Sequence, residues 1–154
     1  MHADTRLTLN ANSFHRLTGR VLVDVPAGVS LAQAMWHAPC VVVAHGVEAD
    51  PVFFYGNQLA LELFDMPFDT FTRLPSRFSA EPVARDGRDA LLARVTRDGY
   101  IDDYAGVRIA ASGRRFRIEQ AVVWNLVDKH GGLHGQAATF RHWLPLDGDT
   151  PFAG

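Results

Sequence analysis

Alternation of apolar and polar residues is clearest between Tyr100 and Trp143. Phe116, Ile118, Gln120, Val122, Trp124 and Leu126 recur at period two, with Arg115, Arg117, Glu119 and Asn125 between them. That is the pattern of a strand with one core face and one largely wet face. YIDDYAGVRIA precedes it across Ser112-Gly113, and LHGQAATFRHW follows across Asp128-Lys129-His130-Gly131-Gly132. Short glycine turns between strand-length segments predict a three-stranded antiparallel meander.

Upstream, CVVVAHG and VFFY are short, β-branched or aromatic runs joined by Glu48-Ala49-Asp50-Pro51, which predicts a hairpin. Ser30 is placed to cap a helix over LAQAMWHA, and Asn57 to cap QLALELF by accepting from its first free amides. Pro67 can open a further turn through Phe71, and LPSRFSAEP reads as a proline-bounded loop or single turn. Pro82 through Asp98 is the longest helical pattern, with Val83, Ala90, Leu91 and Val95 on one side and Gly99 as its stop. Residues up to about Arg20 are polar and irregular except for Phe14 and Leu17, so they read as an arm or short helix laid on the domain.

The order is two strands, short helices, one longer helix and three strands. It predicts an α+β fold, a five-stranded antiparallel sheet with helices gathered on one face. The expected division is an N-terminal arm over 1–29, one domain over 30–144 and a flexible tail over 145–154.

Composition narrows the function classes. With 154 residues, 47% of them hydrophobic and 21% charged, the chain suits one domain with a sizeable core. No apolar run approaches the ~18 residues of a membrane span, and MHADTRLTLN lacks the order of a secretory signal, so a cytoplasmic location is expected. A formal charge of -2 argues against a general nucleic-acid binder. Cys40 is the only cysteine and lies in an apolar run, so no internal disulfide can form and a buried thiol is expected.

HGVEADPVFFYGNQLALELF, LPSRFSAEP, GYIDDYAGVRI and VVWNLVD, in this order, resemble the MEKHLA domain, a module related to the PAS sensory domains. The likeness runs from about Phe14 to Trp143 and is to the stand-alone bacterial type; the module also ends plant class III homeodomain-leucine zipper factors. It implies a PAS-like sheet, with a pocket between its inner face and the helices, and dimerisation through its outer face or contact with a partner protein. It implies no single ligand. Flavin-binding PAS members that respond to light carry a cysteine where this chain has Ser76, within Pro75-Ser76-Arg77-Phe78, and a serine cannot form their adduct. Arg108 and Ile118 stand where their third and fourth strands make polar flavin contacts. Haem-binding members present a histidine from the long helix, and 82–98 contains none. Flavin and haem are therefore both disfavoured, and the cofactor is left unknown.

Gln120 interrupts an otherwise apolar face, and a buried amide needs a partner, either a ligand or a neighbouring backbone group. Gln136 could face the same pocket, and His45 shares a face with Val41 and Val43 at its edge. With Tyr55, Ser76, Phe78 and Trp124, these are the expected ligand-binding residues for a small, largely apolar molecule. No catalytic or metal residues are assigned: His130, His134 and His142 have only turn spacing to recommend them. Two alternatives stay open. One is a small cofactor-free enzyme using Asp102 or Asp103 as base, two carboxylates that alternation places on opposite faces; the other is a filled-core dimerisation module. No kinase, cyclase or DNA-binding segment is recognisable, so a signal is expected to leave through a partner protein or a change of dimer.

Overall fold

The structure, a computed structural model, describes residues 2–79 and 85–146, with side chains over 6–79, 90–91 and 93–146. Among them the elements run α1 (His2–Thr18), α2 (Leu31–Trp36), β1 (Val41–His45), β2 (Phe53–Gly56), α3 (Gln58–Phe64), α4 (Phe68–Phe71), a 3-10 turn (Ser76–Ser79), α5 (Arg85–Asp98), β3 (Tyr100–Ile109), β4 (Arg115–Val127), β5 (Leu133–Phe140) and β6 (His142–Pro145). The expected helix start at Pro82 lies outside the described residues.

The five expected strands form one antiparallel sheet in the order β2-β1-β5-β4-β3. A sixth was not expected. The run taken as a single strand to Trp143 breaks at Arg141, and β6 then pairs with the first half of β4 while β5 pairs with the second. Pro145 belongs to β6, and the Leu146 amide donates to the Arg115 carbonyl; residues 147–154 lie outside the described region.

Both caps form as local sequence dictates. Ser30 and Gln33 make a reciprocal capping box on α2. Asn57 does more than cap α3: its Oδ1 accepts from the Ala60 and Val42 amides, while its Nδ2 donates to the Met35 and Cys40 carbonyls. One fully buried amide thus ties α2, β1 and α3 together.

The sheet is covered on both faces. On the inner face, α3 and α4 bury Val41, Val43, Phe53, Phe64, Phe71, Phe116, Ile118, Ala121 and Phe140. On the outer face, α1 and α2 bury Val42, Ala44, Tyr55, Val122, Trp124, Leu126 and Ala137 with Leu7, Phe14 and Met35. The expected arm is one 17-residue helix, and it covers the outer face of the sheet, through which the family likeness implied dimerisation. Its period was hidden because the buried side includes polar residues. Ser13 Oγ both donates to the Val127 carbonyl and accepts from its amide, and Trp124 Nε1 donates to the Asn10 carbonyl.

The face assignment of β4 needs correcting. Gln120 has φ +54°, is exposed, and takes up the extra residue of an irregularity beside Ala121. An extra residue in one strand exchanges its faces. Phe116 and Ile118 therefore point inward, whereas Val122, Trp124 and Leu126 point outward. Ala121 and Val123, which unbroken alternation would set beside Glu119 and Asn125 on the outer face, point inward.

Candidate functional site

The inner face divides into a filled half and a half-open one. Phe53 stacks on Phe71 with ring centroids 4.2 Å apart, and Phe64 meets Phe71 and Phe116, so aromatic side chains fill the end under α3 and α4. Towards the other end the inward residues are His45, Gln136, Asn125, Val123 and Ala138, all half-buried. Their outward counterparts Ala44, Ala137, Trp124 and Leu126 are at most 3% exposed.

Strand register builds this row. His45 is the direct partner of Gln136, and Gln136 of Asn125. Gln136 Nε2 donates to Asn125 Oδ1 at 3.3 Å, and Asn125 Nδ2 donates to the Val95 carbonyl of α5 at 3.4 Å. Gly135 holds the register: its φ is +148°, and a Cβ there would lie 2.1 Å from the His45 carbonyl oxygen. His45 Nδ1 lies 2.9 Å from the Gly46 carbonyl, an acceptor only, so Nδ1 carries the proton and Nε2 is bare. Burial lowers the His45 pKa, opposed by that hydrogen bond and helped by the charge of Arg108.

The 3-10 turn straps the β2 edge to β3. Its Ser76 amide donates to the Pro51 carbonyl, and Ser79, 1% exposed, donates its hydroxyl to the Ser76 carbonyl. Ser79 Oγ then accepts from Arg108 Nη1 at 3.2 Å, while Arg108 Nη2 donates to the Tyr104 hydroxyl at 3.3 Å. Arg108 is half-buried and has no carboxylate partner among the described residues.

Of the expected site residues, His45 and Gln136 come together here. The others lie elsewhere. Trp124 is fully buried under α1, where its ring meets Phe14 edge-on. Tyr55 also faces outward, at the seam where Phe68 packs against its ring; its buried hydroxyl has no hydrogen-bond partner among the described residues, and burial raises its pKa. Phe78 is 55% exposed beneath the Arg77 guanidinium, which also pairs with Asp50. Ser76 contributes its backbone to the turn, but Ser79 makes the inward contact. Gln120 lines an open groove of about 840 Å³ with Asp102, Asp103, Glu119, His142 and Trp143.

Asp102 pairs with Arg20 on the outer side and Asp103 with Arg94 of α5, so the two carboxylates do face opposite ways, each exposed. His134 pairs with Asp128 at 2.7 Å, which together with backbone amides lowers the Asp128 pKa to about 2. Among the described residues no three His, Cys, Asp or Glu side chains converge as a metal site. Ser79, Tyr104 and Asn125 were not singled out from sequence; the inward parity of Tyr104 with Arg108 on β3 was the available signal.

The strand order, the short helices crossing from β2 to β3 and the half-open inner face define a PAS-like fold. Solved structures agree: a PAS domain from Colwellia psychrerythraea superposes with a TM-score of 0.60 at 12% identity, covering 70% of this chain and 89% of that one. A LOV domain from an Erythrobacter litoralis blue-light activated histidine kinase gives 0.56 at 13%, covering 71% and 98%. More narrowly, the chain belongs to the MEKHLA domain family, whose model matches residues 5–145 and so includes most of α1. Similar curated proteins are homeobox-leucine zipper protein ATHB-9 of Arabidopsis thaliana, 29% identical over 121 residues, and HOX32 of Oryza sativa subsp. japonica, 26% over 133. The matches cover 75% and 84% of this chain but only 14% and 15% of those proteins.

Proposed function

We propose that this domain is a sensor that binds a small, largely apolar molecule against the half-open inner face and passes its occupancy on through protein contacts. One observation carries the reading. The outward residues Ala44, Ala137, Trp124 and Leu126 are at most 3% exposed, whereas the row His45, Gln136, Asn125, Val123 and Ala138 beside them stays half-covered. A domain built only to pack would bury that row as thoroughly as its outward counterpart. The same row offers Val123 and Ala138 for apolar contact, with amides and an imidazole to orient a ligand, as binding sites usually do. Cys40, the only thiol, faces the outer core with Met35 and Val42, so no ring bound at the inner face can be bonded by cysteine here.

The outward route runs through α1 and the loop after it. Val21 and Val25 are 67% and 47% exposed, beside a groove of about 450 Å³ lined by Leu22, Pro26, Val29, His37 and Arg141. Because α1 already occupies the outer sheet face, a second copy or partner protein would meet this edge instead.

The test is an amide NMR titration of the whole chain with a small-molecule fragment library, paired with native mass spectrometry of freshly purified protein. Shifts clustered on Val123, Asn125, Gln136 and Ala138, or a stoichiometric added mass lost in Ala138→Phe, are the expected results. Hits that cluster elsewhere, or no hits and no added mass, overturn the reading.

A further inference from the structure

The structure assigns Arg108 a ligand-facing role: we infer that it receives the carboxylate of an otherwise apolar organic acid. The inference rests on the inner-face reading above and names the chemical class that this face would take.

A guanidinium drawn out of water normally meets an acidic partner, because desolvation is repaid only when the charge is neutralised and its N–H groups are satisfied. Arg108 breaks that pattern. It is half-buried, and its partners among the described residues are two neutral hydroxyls at 3.2 and 3.3 Å, both longer than a charge-assisted contact. The remaining N–H groups of its fork have no acceptor among the described residues, and a planar fork matches the two oxygens of a carboxylate.

The two hydroxyls hold the guanidinium without neutralising it. Ser79 Oγ spends its proton on the Ser76 carbonyl at 2.7 Å, so towards Arg108 it acts only as acceptor. Tyr104 likewise accepts from Arg108, which leaves its own proton free for a second oxygen of the ligand. Gly106 makes this posture possible, since a Cβ there would lie 2.4 Å from the Tyr104 hydroxyl and force the ring away. The Arg108 carbon sits 5.8 Å from the Tyr104 ring centroid, so the ring also borders the head group's seat. His45 completes the field: held neutral with Nε2 bare, it adds no cation to compete and can accept from a protonated ligand group. No carboxylate of the described chain already occupies the seat.

The experiment titrates the full chain with straight-chain monocarboxylates from acetate to decanoate, the matching primary amides, and inorganic phosphate, reading the Arg108 side-chain Nε–Hε NMR signal and the inner-face amides. Arg108→Gln assigns the signal and serves as the binding variant; Tyr104→Phe is the second, and circular dichroism confirms that both fold. Carboxylates should move the Arg108 signal where amides do not. Affinity should fall on the order of tenfold to a hundredfold in Arg108→Gln, the range for losing a charge-assisted pair, and should weaken with added salt. Equal binding of acids and amides, or unchanged affinity in Arg108→Gln, overturns the carboxylate seat while leaving the sensor reading intact. Tighter binding of phosphate than of every carboxylate also overturns it. If neither series moves any inner-face signal, the sensor reading fails with it.

Discussion

Replacing Asn57 tests the packing argument most directly. Its side chain makes four hydrogen bonds: Val42 and Ala60 amides to Oδ1 at 3.1 and 3.2 Å, and Nδ2 to the Met35 and Cys40 carbonyls at 3.0 and 2.8 Å. Asn57→Ala leaves those backbone groups without their partner, and Asn57 itself is 0% exposed, so water cannot readily replace the amide. At about 1 kcal/mol for each lost bond, the cost is about 4 kcal/mol, a large part of the roughly 5–15 kcal/mol that holds a domain together. At about 2–4 °C per kcal/mol for a chain of this size, the melting temperature should fall by about 8–16 °C. Asn57→Asp should be as harmful at pH 7, because it sets a carboxylate against the Met35 and Cys40 carbonyls. It should recover partly at lower pH, where the protonated acid can donate to one of them. Urea unfolding at 25 °C measures both. A loss below about 1 kcal/mol for Asn57→Ala would refute the claim that this amide joins α2, β1 and α3.

The remaining predictions concern the two faces of the sheet. Tyr55→Phe removes a buried hydroxyl that has no partner among the described residues, so it should be neutral or stabilising by up to about 1 kcal/mol in the same assay; a loss above 1 kcal/mol would show that the hydroxyl is hydrogen-bonded. Gln120→Gly should stabilise by about 1 kcal/mol by relieving a left-handed backbone, and Gln120→Val should destabilise, whereas an inward-facing Gln120 would give the reverse order. His45 has a folded pKa below its unfolded value of about 6.5, so the unfolded chain binds the extra proton and stability falls as pH drops below that value. Urea midpoints compared between pH 7.5 and 5.0 should show this loss, and His45→Gln should reduce it; an equal slope in the variant would count against the assignment.

Much of the fold was legible because it depends on neighbours a few residues away. The caps at Ser30 and Asn57, the β1–β2 hairpin, the glycine turns of the meander and the stop at Gly99 all follow from local chemistry, and the strand order follows from the family likeness. The facing of His45 was legible for the same reason, by parity with Val41 and Val43 on a short strand, whereas that of Gln136 is set by its pairing with His45 and Asn125.

What the sequence left undecided was set by partners far along the chain. Period two continued without interruption through β4, yet the residues on either side of Gln120 pair with different strands, β6 before it and β5 after it. Accommodating both inserts an extra residue and turns Val122, Trp124 and Leu126 to the opposite face, so Trp124 left the expected site and Asn125 entered it. α1 was obscured because its buried side carries Asn10 and Ser13, whose bonds to Trp124 and Val127 span 114 positions. The Arg108 seat depends on tertiary structure most of all. Ser79, Tyr104 and Arg108 meet only because the 3-10 turn crosses the inner face from β2 to β3. Local rules determined most of the helices and strands, α1 and β6 excepted; which side chains share a site was decided by how those segments pair and cross.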